Sequence, residues 1–194
     1  MKNMGLNIKK FLMPAVFLLV ILTVMVSIFP GEGEARNKTY MIGSRGPAGG
    51  WIFYDKGYYK DGWRYLEAAP VSQGYTKWGC YRRSIKGVRD DDPLGRGKVF
   101  TAVIIKKCRQ QNVAARKASS YRGGGKRDWF LPTVEELETM HMNLAHRVRG
   151  FNDHIYWSSS QYNYGCAWFV NFHDGMKNYY AKNFLFRVRA VRRF

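Results

Sequence analysis

The pattern of apolar and polar positions divides the chain into an uncharged N-terminal block and a longer segment of mixed character. Residues Phe11 to Phe29 carry no charge and follow Lys2, Lys9 and Lys10, the arrangement of an export signal. Gly33 and Ala35 supply small residues for cleavage after Ala35. The block exceeds the ~7–15 apolar residues of an ordinary signal and approaches the ~20 of a membrane span. An uncleaved anchor over residues 11–29 therefore stands beside a cleaved signal peptide. Either way, residues 36–194 are expected outside the cytoplasm: secreted, periplasmic or at a cell surface.

Within 36–194 the pattern reads as one domain. Met41 to Gly50 is a Gly-rich lead-in, read as a turn because two Gly-X-Y triplets cannot make a triple helix. Residues 51–54 (Trp-Ile-Phe-Tyr) and 63–68 read as strands, joined through Gly57 and the Asp61-Gly62 turn pair. Residues 71–97 show no period and hold repeated Gly, which predicts a long ordered loop. From Lys98 to about Ser119, at ~100° per residue, Phe100, Val103, Ile104, Cys108, Ala114 and Ala115 share one arc. Lys98, Lys106, Arg109, Arg116 and Lys117 share another, which predicts one amphipathic helix over 98–118; Ile105, Lys107 and Val113 fall off the pattern.

A second helix is predicted over 133–147. Thr133 and Glu136 have capping-box spacing, and Val134, Leu137, Met140, Leu144 and Val148 form the buried stripe. Glu135, Glu136 and Glu138 are read as structural. After Gly150 the chain turns to strands: 156–160, a turn at Asn163-Tyr164-Gly165, then 167–172 and 177–181 as a hairpin with a two-residue turn near Asp174-Gly175. Residues 186–192 alternate apolar and charged, which predicts a half-exposed strand with Arg187, Arg189 and Arg192 or Arg193 facing outward. The class is α+β, a mostly antiparallel sheet with two helices and a long irregular loop region.

Composition alters this picture mainly through charge. Thirty-two Lys and Arg against 14 Asp and Glu give +18, while 46% hydrophobic and 16% aromatic residues exclude a disordered polycation. Lys77 to Arg127 carries 15 basic residues against Asp90, Asp91 and Asp92. A charged helix face ordinarily means solvation, but solvation alone tolerates both signs, and no acid occurs from Lys98 to Arg127. Arg82, Arg83, Lys86, Arg89, Lys98, Lys106, Arg109, Arg116, Lys117, Lys126 and Arg127 are accordingly the expected polyanion-binding residues. Arg forks and Lys point charges both suit sulfate and phosphate. Three cysteines allow one bridge; Cys80–Cys108 is the expected pair, since it ties the loop to the helix, leaving Cys166 free or paired between chains.

The order of motifs resembles one known family. Gly-Pro-Ala-Gly-Gly at 46–50 precedes the aromatic strand, and Asp-Gly-Trp-Arg-Tyr-Leu-Glu-Ala-Ala-Pro follows at 61–70. Trp78-Gly79-Cys80, Gly95-Arg96-Gly97-Lys98 and Asp128-Trp129-Phe130-Leu131-Pro132 come next, then Tyr156-Trp157-Ser158-Ser159-Ser160, Ala167-Trp168 and Val188-Arg189-Ala190-Val191-Arg192. Over residues 42–194 this is similar to the Lcl C-terminal domain family of exported bacterial proteins, named for a collagen-like adhesin. The resemblance implies a C-type-lectin-like architecture in which an N-terminal strand pairs with a C-terminal one, here 51–54 with 186–192. It also implies binding of sulfated glycosaminoglycans, for which the naming adhesin is known.

Other chemistries find little support. The four histidines lack ligand spacing, and the Glu-Pro-Asn, Gln-Pro-Asp and Trp-Asn-Asp triplets of calcium-dependent lectins do not occur. Asp90-Asp91-Asp92 reads as an acidic turn, Gly123-Gly124-Gly125 lacks the strand and Lys-Ser/Thr of a phosphate loop, and Asn37-Lys38-Thr39 matches a glycosylation sequon beside the processing site. Serines 158–160 have no sequence-placed base. The expectation is an exported, non-catalytic module without cofactor or metal that recognises anionic polysaccharide such as sulfated glycosaminoglycan. Anionic lipid or lipopolysaccharide and a homo-oligomeric partner are further candidates; cytoplasmic nucleic acid is not. The rival reading is an envelope-associated structural protein held by charge to an anionic membrane or wall.

Overall fold

The computed structural model describes residues 38–89, 94–151 and 154–194. The signal or anchor segment, Asn37 and the Asp90–Asp92 turn lie outside the described residues. Strand β1 (Trp51–Lys60) and β2 (Trp63–Ala68) form an antiparallel hairpin. Its register, Lys60 opposite Trp63, leaves Asp61-Gly62 as a two-residue turn, both residues at positive φ (57° and 78°), as a turn matched to strand twist requires. β1 runs six residues past the predicted strand, through Gly57, because its partner continues to pair. The lead-in packs on the hairpin through Glu67, whose buried carboxylate accepts the N–H groups of Ala48 (3.0 Å) and Gly50 (2.7 Å). A Cβ at Gly46 or Gly50 would collide with Glu67. The Gly-rich motif is thus a backbone approach to one acid.

The predicted long loop contains a short strand, β3 (Tyr75–Lys77). The single helix predicted over 98–118 is two: α1 (Gly97–Lys107) and α2 (Ala114–Ser119). The break has a local cause. Cys108 turns extended (φ −100°, ψ 105°) and bonds to Cys80, with Cα atoms 5.8 Å apart. Val113 is buried and bridges to Lys77. Of the off-pattern residues, Lys107 and Val113 flank the break, whereas Ile105 lies within the helix. The second predicted helix is α3 (Val134–Leu144), with both bonds of its capping box present. Its stripe Val134, Leu137, Met140 and Leu144 is buried.

The C-terminal strands are β4 (Ile155–Gln161), β5 (Cys166–Asn171), β6 (Lys177–Ala181), β7 (Leu185–Arg187) and β8 (Val191–Arg193). One sheet has the order β1-β2-β8, the other β3-β7-β4-β5-β6. The predicted strand over 186–192 is therefore split between two sheets. The terminal strand joins the N-terminal sheet through β2, with Ala68 opposite Val191, and not through 51–54. This crossing buries both faces of the segment, so the expected outward row fails at two positions. Arg189 is buried and donates to the carbonyls of Ala69 and Gly150 and to the Tyr156 hydroxyl. Arg192 is buried between Asp128 and Glu67. The β5–β6 connection is also longer than predicted: Val170 pairs with Lys177 and the Asn171 N–H bonds to the Met176 carbonyl. Phe172 at its start is buried rather than part of a tight turn.

β4 is covered on both sides. Trp157 joins Trp78, Phe100, Ile104, Val113 and Ala114 in one core under α1 and α2. Its neighbour Tyr156 joins Phe53, Leu66, Leu137, Met140 and Phe172 in a second core under α3 and the hairpin. Alternation along an extended strand sends adjacent rings to opposite layers. Thr39–Phe194 forms one compact unit.

Candidate functional site

The Cys80–Cys108 bridge sets the site. It joins the start of the basic loop to the residue after α1, so that loop and helix end become neighbours. The loop is wound tightly there: Gly79, Cys80 and Arg82 all lie at positive φ (105°, 47° and 60°), and the Arg83 N–H closes a turn onto the Cys80 carbonyl at 3.1 Å. Non-glycine residues in this region of backbone space cost energy and persist where surrounding contacts hold them. Here the disulfide and the Gln110 side chain, which accepts the Cys80 N–H at 2.8 Å, hold them.

Between the loop and the end of α1 lies a shallow cleft of about 450 Å³, lined by Arg83, Ser84, Lys86, Lys106, Lys107 and Arg109. Five of the six are cations and none is an acid. Lys107 donates from Nζ to the Lys86 carbonyl (2.8 Å), tying the two walls together. Below, Lys182 is fully buried. Its Nζ donates to Gln161 Oε1 (2.7 Å), the Arg83 carbonyl (3.0 Å) and the Tyr164 carbonyl (3.3 Å), and lies 4.6 Å from the Trp78 ring centroid. Burial lowers its pKa to about 8. Gln161 Oε1 also accepts the Ile85 N–H at 2.8 Å. A loop with almost no regular structure is thus bolted to the sheet beneath it, which keeps its outer cations in fixed positions.

Four of the expected residues, Arg83, Lys86, Lys106 and Arg109, meet in this cleft. The others lie apart from it. Arg82 is exposed in the same turn, with its guanidinium 5.4 Å from the Tyr81 ring centroid, and Arg89 is exposed further along the loop. Lys98 sits two turns away at the start of α1. Arg116 is half-buried and committed inward: it donates to the carbonyls of Ile105, Cys108 and Gln110 at 3.0 to 3.2 Å, capping the end of α1. Lys117 is half-buried on α2, and Lys126 and Arg127 are exposed beyond the 3-10 turn at Gly123–Gly125. Lys107 and Ser84 were missed. Lys107 was set aside as an off-pattern position of one long helix, although a helix ending there turns its side chain toward the loop. Lys182 had no readable signal, because its role depends on three acceptors distant in sequence.

Ser158, Ser160 and Glu136 face inward. Ser158 donates from its hydroxyl to the Trp168 carbonyl, and Ser160 Oγ accepts the Val134 N–H. Glu136 is fully buried. It accepts the N–H groups of Thr133 (2.9 Å), Gly95 (2.8 Å) and Gly97 (3.3 Å), so one carboxylate organises the starts of both α1 and α3. Burial raises its pKa to about 7 despite those donors.

The family description "Lcl C-terminal domain" matches residues 91–192, more than half of the chain. The chain belongs to the Lcl C-terminal domain family. No curated protein matches it. The matched stretch of this Lcl C-terminal domain includes α1, the Lys106–Arg109 wall of the cleft and Lys182, whereas Cys80, Arg83 and Lys86 precede it.

Proposed function

We propose that this Lcl C-terminal domain is an exported, non-catalytic binding module for anionic glycans, sulfated or phosphorylated, and that the basic cleft is where they dock. The observation that carries this reading is the convergence of Arg83, Lys86, Lys106, Lys107 and Arg109 around one cleft with no carboxylate among its described lining residues. Clustered like charges repel one another, so a fold that spends a disulfide and a buried lysine to hold them together gains only when an anion neutralises them. Guanidinium forks and ammonium groups at mixed angles suit the irregular spacing of sulfates along a sugar chain better than one compact anion. Binding without catalysis is the reading that the roles of Glu136, Ser158 and Ser160 favour, since Glu136 caps two helices and the two serines fasten β4.

Heparin-affinity chromatography tests this. The protein is expected to bind at physiological ionic strength and to elute only with added salt, as screening shortens the reach of each charge. The paired reversal Arg83→Glu with Lys106→Glu is expected to move elution to markedly lower salt, while the same pair at Lys126 and Arg127 moves it less. Elution at physiological salt or below, or equal loss from both pairs, would refute the cleft as the site. Retention on anionic phospholipid vesicles without retention on heparin would favour the membrane-held alternative.

A further inference from the structure

The cleft does not end at its cations. The turn between β4 and β5 lies against the basic loop: Lys182 Nζ bridges the Arg83 and Tyr164 carbonyls, and a Cβ at Gly165 would touch Tyr81 at 3.9 Å. From that turn an aromatic strip continues to the free edge of the five-stranded sheet. Tyr164 is 62% exposed at its tip. Tyr179 on β6, 40% exposed, stacks on Tyr162 with ring centroids 3.7 Å apart and planes 7° from parallel. Both tyrosines stand nearly perpendicular to Trp168, at 5.4 and 5.5 Å. Among the described residues β6 is the last strand of the sheet and pairs with β5 alone.

We propose that this strip, with Tyr179 and Tyr164 as its contacts, is a sugar-ring subsite for the same anionic glycan, whose acid groups occupy the adjoining cleft. The inference rests on the proposed function and adds to it the part of the ligand that charge cannot recognise. A pyranose ring has an apolar C–H face and a polar rim. A tyrosine offers a flat apolar face that the C–H groups can cover and a hydroxyl that stays wet. The strip presents such rings at its surface, Tyr164 and Tyr179 among them. Two parallel rings braced on a third are already ordered, so stacking costs little side-chain entropy. At its turn end the strip adjoins positive charge that is unneutralised among the described residues, since Arg82 lies next to Tyr81 and the basic cleft follows, whereas Lys177 on β6 is paired with Glu138. An acidic sugar chain would therefore run its charged groups toward the cleft end.

Two probes separate the strip from the cleft. One is a size-defined sulfated heparin oligosaccharide; the other is poly(vinyl sulfate), a polyanion with no sugar ring. Tyr179→Ala and Tyr164→Ala are expected to weaken the oligosaccharide about 3- to 10-fold, the range of an aromatic contact, and to leave poly(vinyl sulfate) within about twofold. Tyr179→Phe keeps the ring and is expected to bind as the parent does. Both tyrosines are exposed, and an unchanged thermal midpoint confirms that the variants fold. If both probes weaken alike, or neither does, the subsite is overturned while the cleft stands. If the parent protein binds neither probe, and reversal at Arg83 and Lys106 changes nothing, the proposed function falls and takes the subsite with it.

Discussion

Glu136 shows how much one side chain can organise. A capping box ordinarily satisfies two backbone donors at the start of one helix. Here the same carboxylate also takes the Gly95 and Gly97 N–H groups, so it anchors the entry to α1, and α1 carries one wall of the cleft. Burial raises its pKa from the ordinary 4.5 to about 7, which means the folded protein holds that proton more tightly than the unfolded chain does. Its contribution to stability is therefore greatest below pH 4.5 and fades as pH rises through about 7. Glu136→Gln removes this titration and leaves the Thr133 N–H without its acceptor. The variant is expected to be less stable by about 1–3 kcal/mol, and the difference from the parent is expected to shrink as pH rises from 5 to 7.5. Chemical denaturation at a series of pH values checks both points; a difference independent of pH would contradict the raised pKa. Asp128 behaves oppositely. Burial alone would raise it, but the Arg192 guanidinium, bonded at 2.9 and 3.0 Å, holds it below the ordinary carboxylate range, so its contribution is lost only on acidification.

Among the elements, the loop and α1 are joined covalently as well as by the Lys107–Lys86 hydrogen bond and a shared core. The loop between β3 and α1 has little regular pairing, and its apolar anchors are few: Trp78, Ile85 and Val88. Closing 28 residues between Cys80 and Cys108 is worth about 3–4 kcal/mol by chain entropy. Cys80→Ser with Cys108→Ser is expected to lower stability by about that amount. It is also expected to cost heparin affinity more than the same loss of stability produced elsewhere, because the five cations would no longer share a cleft. A variant destabilised in the α3 core, such as Leu137→Ala, provides the comparison. Thiol titration of the denatured parent is expected to find one free cysteine, Cys166, and three after reduction. Sequence periodicity placed the start, cap and buried stripe of α3 correctly, because these agree, but ran three residues past its end at Leu144. It overextended α1 because residues 108–113 are short and polar enough to pass as helix. Tertiary bonds at Cys108 and Val113, invisible to a local pattern, end the helix there.

For the molecule as a whole, a net charge of +18 on 194 residues is a standing repulsion. Added salt is expected to raise the thermal midpoint from low ionic strength, because screening relieves that repulsion. A bound polyanion is expected to raise it further at the same salt. Thermal unfolding in a sodium chloride series, with and without a heparin oligosaccharide, measures both. A midpoint that falls with salt would show that the carboxylate pairs outweigh the excess positive charge. Not every arginine contributes to that repulsion equally. Arg189 and Arg192 are sealed inside, where they bond the C-terminal segment to Ala69, Gly150, Asp128 and Glu67. The basic surface is correspondingly narrower than the composition suggests, and five of its cations line the cleft.

The sequence by itself determined the α+β class, the β1–β2 turn and the capped α3 helix, because each follows from local periodicity, turn chemistry or capping. Among the three pairings of three cysteines it only favoured Cys80–Cys108, the bond the structure forms. Only the tertiary structure decided which cations face one another, because that depends on where the loop returns and on buried Lys182 reaching Arg83, Gln161 and Tyr164. It likewise decided that the alternating segment 186–192 would cross between sheets and bury Arg189 and Arg192. A strand's own pattern specifies two faces; what packs against each is set by chain far away.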